Sequence, residues 1–329
     1  MSEAEHEDEL AEDELAEEPP HVSVLAEPVL RLLGEAAALS ELDEPWFLDG
    51  TLGAGGHAAS LLQALPQARL LGVDRDPSAL ELARARLSEA GVLERARLEH
   101  ATYAVAPALL ERIELPPLAG ALLDLGISSM QVDQAERGFA FRYDGPLDMR
   151  MDPTSEGPTA ADLIAELPET ELADLIYQLG EERRSRRIAR AIVEERKRAP
   201  IRRTGELADL IERVVPRGRP RRTKRGRPKR GIHPATRTFQ ALRLAVNDEL
   251  GQLDRALPAL WERLAVGGRL AVISFHSLED RRVKHFFRAE KQAKRARVLT
   301  KKPLTAADEE LALNPRSRSA KLRVAERLA

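Results

Sequence analysis

The chain contains no cysteine. That excludes disulfides, a thiol nucleophile and cysteine-ligated zinc or iron–sulfur centres, and no metal site is expected from the other residues. No apolar run approaches the roughly 18 residues that a membrane span requires. The first residues offer neither a basic n-region nor an apolar h-region, so no signal peptide and no membrane partner are expected. A soluble cytoplasmic protein follows as the expectation. Aromatic residues are also scarce, at 4% of the chain, so any ring-stacking site has few candidates.

What is present points to a packed enzyme-sized core with strongly segregated charge. Apolar residues make up 43% of 329 positions, a length that suggests one core plus a second unit or insertion. The formal net charge of −3 hides the distribution: residues 1–20 hold ten acids and no Lys or Arg, so the remainder carries +7. Segment 217–231 (RGRPRRTKRGRPKRG) holds nine Lys or Arg among fifteen residues and no acid. Both stretches read as disordered in the free chain. A cationic loop spaced by Gly and Pro still suits a phosphate backbone, because each contact releases condensed counterions.

Between these runs the chain alternates. Trp46–Asp49, Arg69–Asp74, Arg97–Tyr103 and Gly120–Asp124 read as strands. Ala58–Leu65, Ser78–Ala90 and Val105–Arg112 read as helices, with Pro77 well placed at a helix start. Such alternation implies a mostly parallel sheet with helices on both faces, a Rossmann-like α/β fold. The rhythm then stops. Residues 136–237 show only helical runs, at Ala160–Leu167, Glu169–Leu179, Arg183–Arg198 and Gly205–Val215, and read as an all-helical insertion containing the basic loop 217–231. The core, 21–135, resumes over 238–329 with a long helix Thr238–Leu264, a fifth strand Arg269–Phe275 and a helix Leu278–Arg288. Ala296–Leu299 and Lys321–Ala325 are weaker strand candidates, able to close the sheet as an antiparallel pair.

The turn Asp49-Gly-Thr-Leu-Gly-Ala-Gly-Gly-His57 follows the first strand, where an open parallel sheet binds its ligand. Its glycines allow a sharp turn and close backbone approach. Gly53-x-Gly55-x-x-Ala58, with Asp74 placed 21 residues after Gly53, also fits a dinucleotide fingerprint, so the motif alone does not separate NAD from S-adenosylmethionine. Three features favour the methyl donor. Asp49 precedes the turn, and a carboxylate there opposes a pyrophosphate but suits a sulfonium or amino group. The later region is helical and offers no second dinucleotide half-site. Asp124, at the end of the fourth strand, is followed by the polar turn Leu-Gly-Ile-Ser-Ser129, resembling an acceptor-recognition position of amino-methyltransferases. Asp74 is placed to accept hydrogen bonds from ribose hydroxyls, Tyr103 to stack on adenine or to serve the core, and His57 to donate to the cofactor carboxylate.

These residues, together with Glu136-Arg-Gly-Phe139, Asp144-Gly-Pro-Leu-Asp-Met-Arg-Met-Asp152, His233-Pro-Ala-Thr-Arg-Thr-Phe-Gln-Ala-Leu242 and Ser274-Phe-His-Ser-Leu-Glu-Asp-Arg281, resemble the bacterial ribosomal RNA small subunit methyltransferase H family, also called MraW. The resemblance runs in order from about His21 to Leu328. It implies S-adenosylmethionine-dependent methylation of the exocyclic N4 of a cytidine in the decoding region of 16S rRNA, within the small ribosomal subunit or its precursor. It also implies cofactor contacts at Gly55, Gly56, His57, Asp74, Tyr103, Asp124 and Gln131. The family often has Phe at the position of Tyr103, which preserves stacking. The acidic N-terminus and the 217–231 run look like departures from its pattern.

Acceptor-site candidates are fewer. Ser128 and Ser129 stand where many amino-methyltransferases have a Pro-Pro-aromatic turn, and His276 and Ser274 end the fifth strand. Phe139, Phe141 and Tyr143 are candidates for stacking on a flipped cytosine or for packing. Ser277-x-x-Asp280 reads as a helix cap, and Met149 and Met151 read as core. An NAD-dependent oxidoreductase and a non-catalytic RNA-binding assembly factor are the rival readings. Cofactor binding discriminates the first, a methyl-transfer assay the second.

Overall fold

The computed structural model describes residues 23–215, 221–222, 228–229 and 233–329. The acidic stretch 1–20 and most of the basic run 217–231 therefore lie outside the described residues. Seven strands form the main sheet: β1 Trp46–Asp49, β2 Arg69–Asp74, β3 Ala96–His100, β4 Leu118–Asp124, β5 Leu264–Ser274, β6 Ala296–Val298 and β7 Lys321–Arg327. Their order is β3-β2-β1-β4-β5-β7-β6. The first five run parallel, whereas β7 lies antiparallel between β5 and β6. A dinucleotide sheet ordered 3-2-1-4-5-6 has no such inserted strand. Order reverses between β1 and β4, so a crevice opens beyond Asp49 and Asp124.

Strand periodicity of two sends alternate residues into two apolar layers. Phe47, Leu122, Ala271 and Ile273 face one layer, with α1 (Ala26–Gly34), α2 (Gly56–Ala64) and α3 (Pro77–Glu89) over it. Leu48, Leu123, Leu270 and Val272 face the other, where Leu110 of α4 (Ala106–Arg112), Trp261 of α11 (Glu249–Arg263) and Phe287 of α12 (Ser277–Gln292) are buried. Among the described residues, no helix is long and apolar enough to cross a membrane.

A third apolar cluster belongs to the helices behind β4. It gathers Phe139, Leu147, Met149 and Met151 with the inward faces of α6 (Ala160–Glu166), α7 (Glu169–Gly180), α8 (Ser185–Arg196), α9 (Thr204–Val214) and α10 (Thr236–Val246). The single helix expected over 238–264 is thus two. It breaks at Asn247–Asp248, where Asp248 adopts a left-handed φ of 46°. Phe239 and Leu242 of α10 pack into the helical cluster, whereas Leu253, Leu257 and Trp261 of α11 pack on the sheet. One straight helix cannot bury stripes against both. Both halves are amphipathic, so the apolar period gives no sign of the break.

Candidate active site

The crevice is built by the turn after β1. Gly50 N donates to Leu122 O at 2.9 Å and Leu52 N to Val73 O at 3.1 Å, which ties the turn to both neighbouring strands. Thr51 fastens it further: its N donates to Asp49 Oδ1 at 3.1 Å, and its Oγ1 accepts from Asp124 N at 2.6 Å. Gly55 stands at the head of α2 with φ 76°, and a Cβ there would come within 3.1 Å of Ala83 Cα. Both the left-handed backbone and the close packing on α3 call for glycine. Across the turn, Asp74 Oδ2 accepts from Gly53 N at 2.8 Å and its Oδ1 from Asp76 N at 2.9 Å. The carboxylate at the end of β2 therefore holds the glycine turn in place.

Three carboxylates converge at the ends of β1, β2 and β4. Asp49 is 2% exposed; burial, reinforced by Asp124 and Asp74, pushes its carboxyl up to about 6, although His57 and the Thr51 amide act against the rise. Burial likewise lifts Asp74. Burial alone would lower the His57 imidazole, but Asp124 and Asp49 carry it above its ordinary value. His57 Nε2 lies 3.6 Å from Asp124 Oδ2, an ionic approach too long for a hydrogen bond. Both His57 Nε2 and Asp124 Oδ1 are buried without a hydrogen-bond partner among the described residues. Such orphaned groups beside a crowd of negative charge suit a ligand that brings cationic and hydrogen-bonding atoms. A methyl-donor sulfonium with its amino and carboxylate groups meets that requirement; a pyrophosphate does not.

The remaining sequence candidates have varied surroundings. Tyr103 packs against the Gly50 turn, where a Cβ on Gly50 would come 2.9 Å from Tyr103 Cβ, and its hydroxyl donates to Glu249 O at 3.2 Å. Burial raises its phenol well above the ordinary value. Ser128 caps the short helix α5 (Ser129–Asp133): Gln131 N donates to Ser128 Oγ at 3.3 Å and Ser128 N donates back to Gln131 Oε1 at 3.2 Å. The side-chain amide of Gln131 donates to Asp76 at 3.0 Å. His276 comes two residues after the end of β5, whose Ile273 O accepts from Leu125 N just past the end of β4. His276 Nε2 is 3.1 Å from Glu279, whose carboxylate also accepts from Phe275 N at 2.8 Å. Ser274 is fully buried, with no partner for Oγ among the described residues.

One expectation about a neighbouring residue changes. His276, not Ser277, is the N-cap of α12, because the helix starts one residue earlier than a Ser277 cap requires and Glu279, three residues after His276, reaches back. Asp280 instead pairs with Arg323 at 2.7 Å, and Ser277 Oγ donates to Glu181. Phe139 and Phe141 are packing residues: Phe139 lies under the Arg137 guanidinium, and Phe141 meets His233 and Phe239 rings at 4.6 and 5.0 Å. Tyr143 is exposed.

Sequence reasoning missed the residue that joins the crevice to the helical unit. Asp76 is 1% exposed and accepts from Ser78, Gln131 and Arg137, the last at 2.8 Å. Burial would raise its carboxyl, but these partners hold it below the ordinary range. Arg137 then donates to Met151 O at 2.8 Å, and Asn247 holds the same segment through Met149 O at 2.8 Å and Met151 N at 2.9 Å. An available signal was a second acid two residues after Asp74, immediately before Pro77.

Comparison with known proteins follows the same lines. The model of the MraW methylase family matches residues 18–328. A ribosomal RNA small subunit methyltransferase H from Methylobacterium sp. (strain 4-46) is 49% identical over 327 residues, covering 94% of this chain and 91% of that protein. One of the same name from Heliobacterium modesticaldum is 45% identical over 325 residues, covering 94% and 98%. Among solved structures, an rRNA methylase from Streptococcus thermophilus aligns with a TM-score of 0.44 at 14% identity, covering 94% of this chain and 99% of that one.

Proposed function

The chain belongs to the MraW methylase family, and we propose that it methylates small-subunit ribosomal RNA, at the exocyclic N4 of a cytidine in the decoding region. The observation that carries this reading is the convergence of Asp49, Asp74 and Asp124 around a glycine turn, with unpartnered polar atoms on His57 and Asp124. S-adenosylmethionine, when bound there, supplies a methyl group already activated on a sulfonium. Asp74 oxygens keep lone pairs beyond those used by Gly53 and Asp76, and these accept the ribose hydroxyls. Asp49 and Asp124 face the positive end, His57 meets the carboxylate, and Gly55 and Gly56 allow close approach. Tyr103 forms the wall for the adenine, while Gln131 acts through Asp76.

The acceptor amine is a poor nucleophile, because its lone pair is conjugated with the cytosine ring. Alignment with the methyl carbon therefore supplies much of the rate. His276, whose ring nitrogens are buried without a hydrogen-bond partner among the described residues although Nε2 lies 3.1 Å from Glu279, is our first choice to hold an N–H of the amine; Ser128 is the second. The proton leaves during or after transfer, and with no cysteine in the chain no thiol adduct precedes it. The helical unit is assigned to RNA selection. The test is transfer of a labelled methyl group to small subunits purified from cells lacking the enzyme, followed by mapping. One modified 16S cytidine is expected. Absence of transfer to both subunits and free 16S rRNA would sink the proposal.

A further inference from the structure

Among the described residues, many arginines outside the crevice are committed to carboxylates: Arg243 to Glu249, Arg269 to Glu326, Arg323 to Asp280 and Arg295 to Glu262 and Glu290. The connection from α7 to α8 departs from this habit. Arg183, Arg184, Arg186 and Arg187 are all exposed, and no guanidinium among them has a partner among the described residues. With Tyr177, Ser185 and Asp174 they line a groove of about 420 Å³. Four cations there face one acid. Tyr177 is 58% exposed, an unusual position for a ring in a chain with twelve aromatics. Four unpaired charges beside the positive end of α8 repel each other and the helix dipole, so folding gives no reason for them.

Their placement supplies one. Ser185, Ile188, Ala189 and Ile192 bury the opposite face of α8, so Arg186 and Arg187 stand on its first turn, with Arg183 and Arg184 in the turn that leads into it. Glu181, just before the groove, ties it to α12: it accepts from Ser277 Oγ and from Arg281 at 3.1 Å. Ser277 adjoins His276. The basic groove thus begins beside the end of β5, where the acceptor amine is expected.

We propose that Tyr177 with Arg183, Arg184, Arg186 and Arg187 seats the RNA strand flanking the target nucleotide, the arginines on phosphates and the tyrosine against a base. This rests on the RNA-methyltransferase reading above. Two variants test it: R183Q/R184Q/R186Q/R187Q and Y177A. Binding to unmethylated small subunits is measured between 50 and 200 mM salt, with S-adenosylmethionine binding by calorimetry as the control for folding.

The quadruple variant is expected to keep its cofactor affinity, raise the KM for subunits, and lower the slope of log K against log salt by about 3, at roughly 0.7–0.9 per phosphate contact. Y177A is expected to weaken binding roughly tenfold at constant salt, with Y177F restoring it. If the quadruple variant fails the calorimetric control, the paired variants R183Q/R184Q and R186Q/R187Q carry the test, each lowering the slope by about half as much. An unchanged slope and KM in folded variants overturns the groove proposal while leaving the functional reading intact. A wild-type protein that transfers no methyl group to ribosomal RNA overturns the functional reading instead.

Discussion

Asp76 is the sharpest test of how the crevice is held. Replacing it with alanine removes the acceptor of four hydrogen bonds, from Ser78 N, Ser78 Oγ, Gln131 Nε2 and Arg137 Nη1, at 3.1, 2.6, 3.0 and 2.8 Å. Arg137, with its side chain only 10% exposed, would be left charged and short of its counter-ion. Breaking a buried pair from one side typically costs about 3–5 kcal/mol, and losing the cap of α3 adds about 1 kcal/mol. A loss near 5 kcal/mol is a large share of the roughly 5–15 kcal/mol that holds a typical domain together.

Urea unfolding read by tryptophan fluorescence suits the measurement, since Trp46 and Trp261 both pack in the layer that includes α11. The variants are Asp76→Ala, Arg137→Met and the double substitution. Arg137→Met should cost less, because Asp76 keeps Ser78 and Gln131. The cycle should show a coupling of about 2 kcal/mol or more, whereas independent sites add to within roughly 0.5 kcal/mol. The pH dependence has a definite sign. The folded carboxyl titrates below its ordinary 3.8, so its contribution is complete above about pH 4 and fades as pH falls through the folded value. Additive single effects, or an Asp76→Ala loss under about 1 kcal/mol at pH 7, would refute the reasoning.

Two further outcomes follow from the carboxylates of the crevice. Holding Asp49 at about 6 against an ordinary 3.8 means that the folded protein keeps a proton the unfolded chain releases between about pH 4 and 6. Stability therefore falls as pH rises through that window, by on the order of 3 kcal/mol. Asp49→Asn should be more stable than wild type by that order at pH 7.5 and equal to it below pH 4, by the same urea titrations. Wild-type affinity for S-adenosylmethionine should strengthen from pH 5 to 7, and the variant's should be weaker and less dependent on pH; identical profiles would remove Asp49 from the site. Asp74→Ala should weaken calorimetric S-adenosylmethionine binding at least tenfold, about the value of one or two charge-assisted hydrogen bonds, and unchanged affinity would end the ribose assignment.

The strands, their acids and the glycine turn were legible because strand patterning and turn chemistry are local. Asp49, Asp74 and Asp124 each end an apolar run, and the antiparallel pairing of β6 with β7 was expected from two short runs near the end of the chain. What stayed hidden is long-range. Asp76 stands next to Pro77 at a helix start, yet its partners Gln131 and Arg137 lie 55 and 61 residues away. Asn247 interrupts a continuous amphipathic pattern because its amide holds a segment 96 residues earlier. The Ser277 reading failed by one position, since a serine three residues before an acid matched the cap pattern while His276 occupied the cap.

Asp74 and Asp76 also link the glycine turn to the helical unit. Two acids lie two residues apart at the end of β2, and the Asp76 amide donates to the Asp74 carboxylate. Asp74 is turned toward the glycine loop, and Asp76 toward Gln131 and Arg137. A displacement of Arg137 with the helical unit would thus be felt at the carboxylate we assign to ribose, through a single peptide. On the far side, Glu181 ties the same unit to Ser277 and Arg281, next to His276. The helical unit is consequently anchored beside both halves of the crevice, the donor half through Asp76 and the acceptor half through Glu181. An RNA strand seated on the arginines beyond Glu181 would pull on the Glu181 anchor, and S-adenosylmethionine bound on Asp74 would act next to the Asp76 anchor. If the acids take the sulfonium and the arginines take phosphate, as proposed, the opposite charges at the two ends keep the two ligands from competing for the same groups.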